Sequence, residues 1–444
     1  MKVLVLVDGE HYPPVTRWGI EVARARGHEV VAALFLGGSE KVEPGAIPDL
    51  GLPTLVAGDD PRRALGAAID DLRPQGVLDL SDEPVVGYRE RMEFAAVALA
   101  RGVSYLGADF TLDPPIEGPP LPVPTLAVIG AGKRSGKTAI GGEVARVADR
   151  GGLRPIVVAM GRGGPAQPQV AEAGSVSLER LLELVHRGEH AASDYLEDAV
   201  TTGVTTIGAR RAGGGLAGAP FVSNLRPAAE LAVERGAGIV VLEGSGSALP
   251  PVPWDAGVLV VPVTTPPEYL GGYLGPLRLL LSDLVVLTMA ASPDAGLENI
   301  PALRSHVQRF RDDARLIVTD FVPHPLADVR GRDAFFATTA SGAAAARQVA
   351  QLEASAGCRV VGWSARLADR AGLAEDMDGA ERFEVLLTEL KAAAVDVACE
   401  RALARGAEVV FVDNRAVLVE GEADLPTLLR ETIDLAVERA GDRV

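Results

Sequence analysis

The sequence predicts a multidomain α/β protein, and three observations carry that prediction. Short apolar runs alternate with helix-like stretches along most of the chain, the pattern of βαβ units in a parallel sheet. Six prolines crowd into residues 114–124, a density that no helix or central strand accepts. Directly after them a strand-like run leads into a glycine-rich loop and then a helix-like stretch. A length of 444 residues with 48% hydrophobic content suits two or three such domains rather than one core.

Taken in order, residues 1–112 are expected to form an N-terminal Rossmann-like α/β domain, with strands near 3–7, 30–36 and 76–80 and helices near 18–26 and 91–101. Residues 113–124 read as a stiff, extended linker. A nucleotide-binding domain with a parallel sheet is expected over 125–330. Its strands fall near 126–130, 155–159, 238–242, 257–261, 284–288 and 315–319. Residues 331–444 form a C-terminal α/β portion, with strands near 334–338, 359–362 and 408–412; the pattern leaves open whether it is separate or completes the central sheet.

Composition narrows the function classes. The first apolar run, 3–7, meets Asp8, Gly9 and Glu10 at once and is too short for a signal peptide, so it reads as a buried strand. No stretch of eighteen uncharged apolar residues occurs, so no membrane span is expected. Cys358 and Cys399 lack any paired spacing, which points to a reducing, cytoplasmic setting and to buried thiols. A formal net charge of -17 argues against nucleic acid as a partner, because the chain would repel the phosphates it had to neutralise. An anionic ligand then needs a local basic pocket. Only five lysines occur, and two of them, Lys133 and Lys137, fall in one loop.

That loop is Gly130-Ala131-Gly132-Lys133-Arg134-Ser135-Gly136-Lys137-Thr138. It matches the P-loop pattern G-x-x-x-x-G-K-[ST] with Ala131 in place of the first glycine, between a predicted strand and a predicted helix. In that reading the backbone N–H groups and the helix start cradle phosphates, Lys137 bridges the outer two, and Thr138 meets Mg²⁺. The strand ending in Glu243 supplies the carboxylate that such a site needs for its metal. Glu243-Gly244-Ser245-Gly246 resembles the Glu-Gly-x-Gly element of the dethiobiotin-synthetase-like branch of P-loop NTPases. Thr288-Met289-Ala290 carries no guanine-reading Asn-Lys-x-Asp, so ATP is the expected nucleotide.

Cations recur beyond the motif's own lysine. Lys133 and Arg134 lie inside the loop, and three Arg-Gly clusters are expected on ligand-binding loops: 160–164 with Arg162, 208–213 with Arg210 and Arg211, and 328–332 with Arg330. Arginine among glycines suits bidentate capture of phosphate or carboxylate. His11, at the end of the first strand, is a further candidate donor to phosphate, set against a simple proline turn at 12–14. His186 and His190 share helical spacing but read as a solvated helix end. The sum is ATP, Mg²⁺ and a small polyanionic second substrate.

Asp8-Gly9-Glu10-His11-Tyr12-Pro13-Pro14-Val15, the loop from Gly130 to Thr138, and Asp328-Val329-Arg330-Gly331 together resemble the cyclic 2,3-diphosphoglycerate synthetase family over nearly the whole chain. The resemblance implies a ligase that uses ATP to close a phosphoanhydride between the two phosphates of 2,3-bisphosphoglycerate, giving ADP and phosphate. It gives the cations already singled out an intelligible job, with Lys137, Lys133, Arg134 and Glu243 as the candidate catalytic residues and His11, Arg162, Arg210, Arg211 and Arg330 as the candidate substrate-binding ones. A homodimer is compatible with it. Two other readings stay open: a carboxylate-activating ligase of the dethiobiotin-synthetase-like group, and a switch ATPase, for which Gly132 stands where the signature lysine belongs.

Overall fold

A computed structural model describes residues 1–43, 45–291 and 296–443. Lys2–Val7 is a strand because its Val and Leu side chains are buried on both faces. It lies inside a sheet of six strands among the described residues, flanked in parallel by Glu29–Phe35 and Gly76–Asp79. Pro13 and Pro14 do not end in a turn: they open the helix Pro13–Ala25, where proline's missing N–H leaves no bond unmade. This N-terminal unit docks through the helix Tyr88–Ala100, whose buried Glu93 accepts from Arg309 of the next unit at 2.8 Å.

The second unit is built on the strand Thr125–Gly130, buried along its whole length. Its alternate side chains feed two cores. Leu126 and Val128 pack with Ile140, Val144 and Leu429, while Ala127 and Ile129 join the opposite face with Leu225 and Leu277. On one side lie Ile239–Glu243, Pro155–Gly161 and Thr206–Ala212; on the other lie Ala256–Pro262, Leu284–Thr288 and Arg315–Pro325, all parallel to it. The closing helix Leu425–Gly441 returns to pack on Lys137–Arg150. Residues 113–124 lie against this unit too, with Arg226 donating to the carbonyls of Glu117 and Pro119.

The third unit joins without a break in the sheet. The strand Glu408–Glu420 starts parallel to Val385–Thr388, then continues antiparallel to Arg315–Pro325 from Val412 onward. One strand therefore serves both units, and thirteen strands among the described residues form one sheet. Because Arg315–Pro325 and this strand run in opposite directions, the parallel strands of the third unit point back toward the phosphate loop. The C-terminal strand ends of the two units therefore face each other.

Two expectations are corrected by this arrangement. Residues 208–213 are not a loop, because Thr206–Ala212 is a strand whose Ile207 and Ala209 are buried against the sheet. The turn at 328–332 precedes the strand Asp333–Ala337 and so sits at the edge opposite to the ligand-binding ends.

Candidate functional site

Facing strand ends enclose a cavity of about 680 Å³. Its floor is the phosphate loop. Gly136 caps the helix Lys137–Arg150 from the left-handed region (φ 89°), and no side chain caps that helix start. The first N–H groups of a fourteen-residue helix are thus left for a ligand. Gly136 has no substitute, since a Cβ there would stand 2.4 Å from the Phe321 ring. Thr288 Oγ1 donates to the Ser135 carbonyl at 2.8 Å and pins the loop's far side. The residue in place of the motif's first glycine, Ala131, is accommodated by donating its N–H to the Val260 carbonyl at 3.2 Å.

Lys137 Nζ donates to the carbonyls of Gly132 and Gly246, both at 3.1 Å. It therefore ties the phosphate loop to the loop that follows Glu243. Burial lowers the Lys137 ammonium to about 8, with Glu243 and Asp194 opposing that shift and Arg162 and Arg211 adding to it. A bound polyphosphate would raise it again by stabilising the charged form. Glu243, 3% exposed, lies under the same helix, and its Oε1 has no partner among the described residues. Burial first, then the Asp194 carboxylate, push Glu243 up to about 8.

The helix Asp194–Thr202 brings three more acids to this wall. Asp194 lines the cavity and is raised by burial. Glu197 is pushed up to about 7 by burial, against the pull of Lys391. Asp198 is fully buried with both oxygens unpartnered, and burial followed by the charge of Glu243 raises it well above the usual carboxylate range. A carboxyl group that keeps its proton only in the folded protein loses stability as pH rises above its unfolded value. Asp198→Asn should therefore raise the melting temperature of the ligand-free protein, by more at pH 8 than at pH 5. Equal gains at both pH values, read by calorimetry, would count against a proton-holding Asp198.

Of the residues singled out in the sequence, Lys133, Arg134, Ser135, Gly136, Lys137, Thr138, Arg162 and Glu243 line this one cavity. Arg134 adopts the left-handed region (φ 59°), a strained conformation for a residue with a side chain, and is exposed. Gly130 stands beneath, where a Cβ would meet Ser135 Oγ at 2.8 Å and Lys137 Nζ at 3.0 Å. Arg211 is adjacent, donating to the carbonyls of Ser245 at 2.8 Å and Gly213 at 2.6 Å. Arg210 is exposed at the sheet's edge and does not line the cavity. His11 and Arg330 do not line it either: His11 Nδ1 is 2.9 Å from Asp8 in the N-terminal unit, and Arg330 pairs with Asp328 at 3.1 Å. His190, read as part of a helix end, lies past the helix Leu178–His186 and lines the cavity.

The opposite wall was not seen in the sequence. It carries Thr339, Arg347, Glu389, Lys391 and Asn414 from the third unit, with Asp320 beside them. Lys391 Nζ is 3.0 Å from Glu197 and Arg347 Nη1 is 2.6 Å from Asp320, so each of these cations pairs with a carboxylate of the second unit. One signal pointed there: Lys391 is the only lysine after Lys137, and it follows a short apolar run.

Three family models cover most of the chain. The N-terminal domain of cyclic 2,3-diphosphoglycerate synthetase matches residues 2–113, its P-loop domain 125–320, and its C-terminal domain 325–415. A cyclic 2,3-diphosphoglycerate synthetase of Rubrobacter xylanophilus is 48% identical over 446 residues, spanning 100% of both chains. That of Methanothermobacter thermautotrophicus is 40% identical over 99% of this chain and 96% of its own. That of Methanothermus fervidus is 38% identical over 98% of each. With such identity sustained from end to end, and with a P-loop at the floor of this cavity, this chain belongs to the cyclic 2,3-diphosphoglycerate synthetase family.

Proposed function

We propose that this chain is a cytoplasmic ligase that uses MgATP to close a cyclic phosphoanhydride within 2,3-bisphosphoglycerate, releasing ADP and inorganic phosphate, alone or as a homodimer. The observation that carries the reading is the surplus of cations around one cavity: Lys133, Arg134 and Arg162 stand beside the Lys137 that a nucleotide requires. A nucleotide alone would leave them unused, whereas a substrate bearing two phosphates would not.

Thr138 and Glu243 would hold Mg²⁺. Both line the cavity, and the buried, unpartnered Oε1 of Glu243 fits a hard cation that takes few protein oxygens beside the phosphates. When bound, the ion supplies charge neutralisation on the nucleotide phosphates. The phosphate loop orients the γ-phosphoryl group, and Lys137 balances its charge. An oxygen of one substrate phosphate attacks Pγ while the bond to the β,γ-bridging oxygen breaks and ADP departs. An oxygen of the second substrate phosphate then attacks the phosphorus so activated; the ring closes as its bond to the transferred group breaks and inorganic phosphate leaves. Every reacting group is anionic, so positioning and charge neutralisation must dominate.

³¹P NMR of the protein with Mg²⁺, ATP and 2,3-bisphosphoglycerate, beside Lys137→Met, tests the reading. Pyrophosphate-type signals should grow with ADP in the wild type only. Unchanged bisphosphoglycerate alongside continuing ATP hydrolysis would sink the substrate assignment and spare the nucleotide site.

A further inference from the structure

We propose that Lys391 is a substrate-binding residue, contributed by the third unit to hold a phosphate of the acceptor substrate across the cavity from the phosphate loop. The inference deepens the function proposed above and rests on it for the identity of the substrate. Four observations lead to it.

Lys391 follows the strand Val385–Thr388 after Glu389 and Leu390, beyond the end of a parallel strand where such sheets present ligand-binding groups. Its side chain keeps 36% of its surface open, and the residue lines the cavity. A cation in that place is therefore available to a ligand and not sealed in the core.

Backbone strain is concentrated beside it. Ala392 has φ 49°, a left-handed conformation that a side chain disfavours, and the segment continues into the π-helix Ala394–Cys399. Strained non-glycine residues and π-helical turns both cluster where a side chain must be aimed for function. Arg134 and Met289, two more left-handed non-glycine residues, line the same cavity.

The ammonium is also held charged. Burial pulls Lys391 down, but Glu197 and Glu389 outweigh that pull and raise it above its ordinary value. Glu389 is itself fixed by Thr339 N at 3.0 Å and by Thr339 Oγ1 at 2.9 Å. Glu197 approaches from the second unit and pairs with Lys391 at 3.0 Å in the ligand-free protein. An acceptor phosphate would compete with that carboxylate for the Lys391 ammonium.

Finally, the site needs a cation on this side. Lys137 meets the nucleotide, Lys133, Arg134 and Arg162 stand on the same side for the nearer acceptor phosphate, and the second acceptor phosphate brings further negative charge into the cavity. A lysine on the far wall lets one acceptor phosphate be held there while the other is presented to Pγ. The reach between the two walls then sets a near-attack distance.

Calorimetric titration of the full-length protein, holding Mg²⁺ and ADP, with 2,3-bisphosphoglycerate tests this. Lys391→Met should weaken bisphosphoglycerate binding at least tenfold while ADP affinity stays within twofold, and Lys391→Arg should recover part of the loss. Unchanged bisphosphoglycerate affinity in a folded Lys391→Met protein overturns the proposal. So does a parallel loss of both ligands, which marks a structural role. If Lys391→Met does not fold, Glu197→Gln decides: freeing Lys391 should tighten bisphosphoglycerate binding, and weaker binding at unchanged ADP affinity overturns the assignment. A wild type that binds ADP and not bisphosphoglycerate refutes the substrate reading alone. Inorganic phosphate then serves as the probe of the subsite, and its binding must fall in Lys391→Met.

Discussion

Lys137→Met should lower turnover by roughly 10²–10³-fold or more, the scale set by removing one preorganised donor from a developing negative charge. The loss should fall on kcat, since the N–H groups of the uncapped helix start still bind phosphate. The same change should make the ligand-free protein more stable at neutral pH. Burial lowers Lys137 to about 8, so below that pH the folded protein carries the full penalty of a buried charge. The penalty fades as pH rises from about 8 toward the unfolded value of 10.5, because the folded protein then gives up the proton first. The stabilisation of Lys137→Met should shrink over that same window. Melting curves at pH 7 and pH 9.5 beside single-turnover assays check both halves; a variant less stable than wild type at pH 7 would refute the linkage argument.

Gly141→Ala should be nearly as damaging to activity, although alanine is the better helix former by about 1 kcal/mol. Gly141 sits in the phosphate-loop helix, and a Cβ there would stand 1.8 Å from Glu243 Oε1. Glu243 must then leave its place beneath the helix, or the helix must lift from the sheet. Overpacking of this kind costs about 1–3 kcal/mol. The expected result is a loss of roughly 10²-fold in kcat with a weaker response to Mg²⁺. Adding Glu243→Asp shortens the side chain, so the double variant should regain thermal stability without regaining activity. A single variant with wild-type kcat would show that Glu243 does not need its observed position.

The phosphate loop was legible because everything it needs is local: the strand Thr125–Gly130, the loop and the helix Lys137–Arg150 are consecutive, and the motif fixes the lysine and threonine. Glu243 was legible for a related reason, as an acid at the end of an apolar run beside two glycines. The far wall was not. Lys391, Arg347 and Asn414 reach the cavity only because the strand Glu408–Glu420 changes partners midway and turns the third unit's strand ends back toward the loop. No local pattern encodes that reversal. Asp194 was missed because it opens a helix between two strands, where an acid reads as an ordinary complement to the helix dipole. His11 and Arg330 lie outside this cavity. Their local motifs are distinctive, but the hydrogen bonds of His11 and its backbone to Asp8, and the pairing of Arg330 with Asp328, account for them within their own loops.

The strand that belongs to both units has a consequence for substrate choice. Its backbone bonds run from Glu408 to Phe411 on one side and from Val412 to Glu420 on the other, with no loop between them to act as a hinge. The gap between the two walls in this structure is therefore held by a hydrogen-bonded ladder that runs through both units. Under the proposed role of Lys391, such a gap would favour an acceptor long enough to keep one phosphate at Lys391 while the other meets the γ-phosphoryl group. A spacer too short for that reach would bind at one end only.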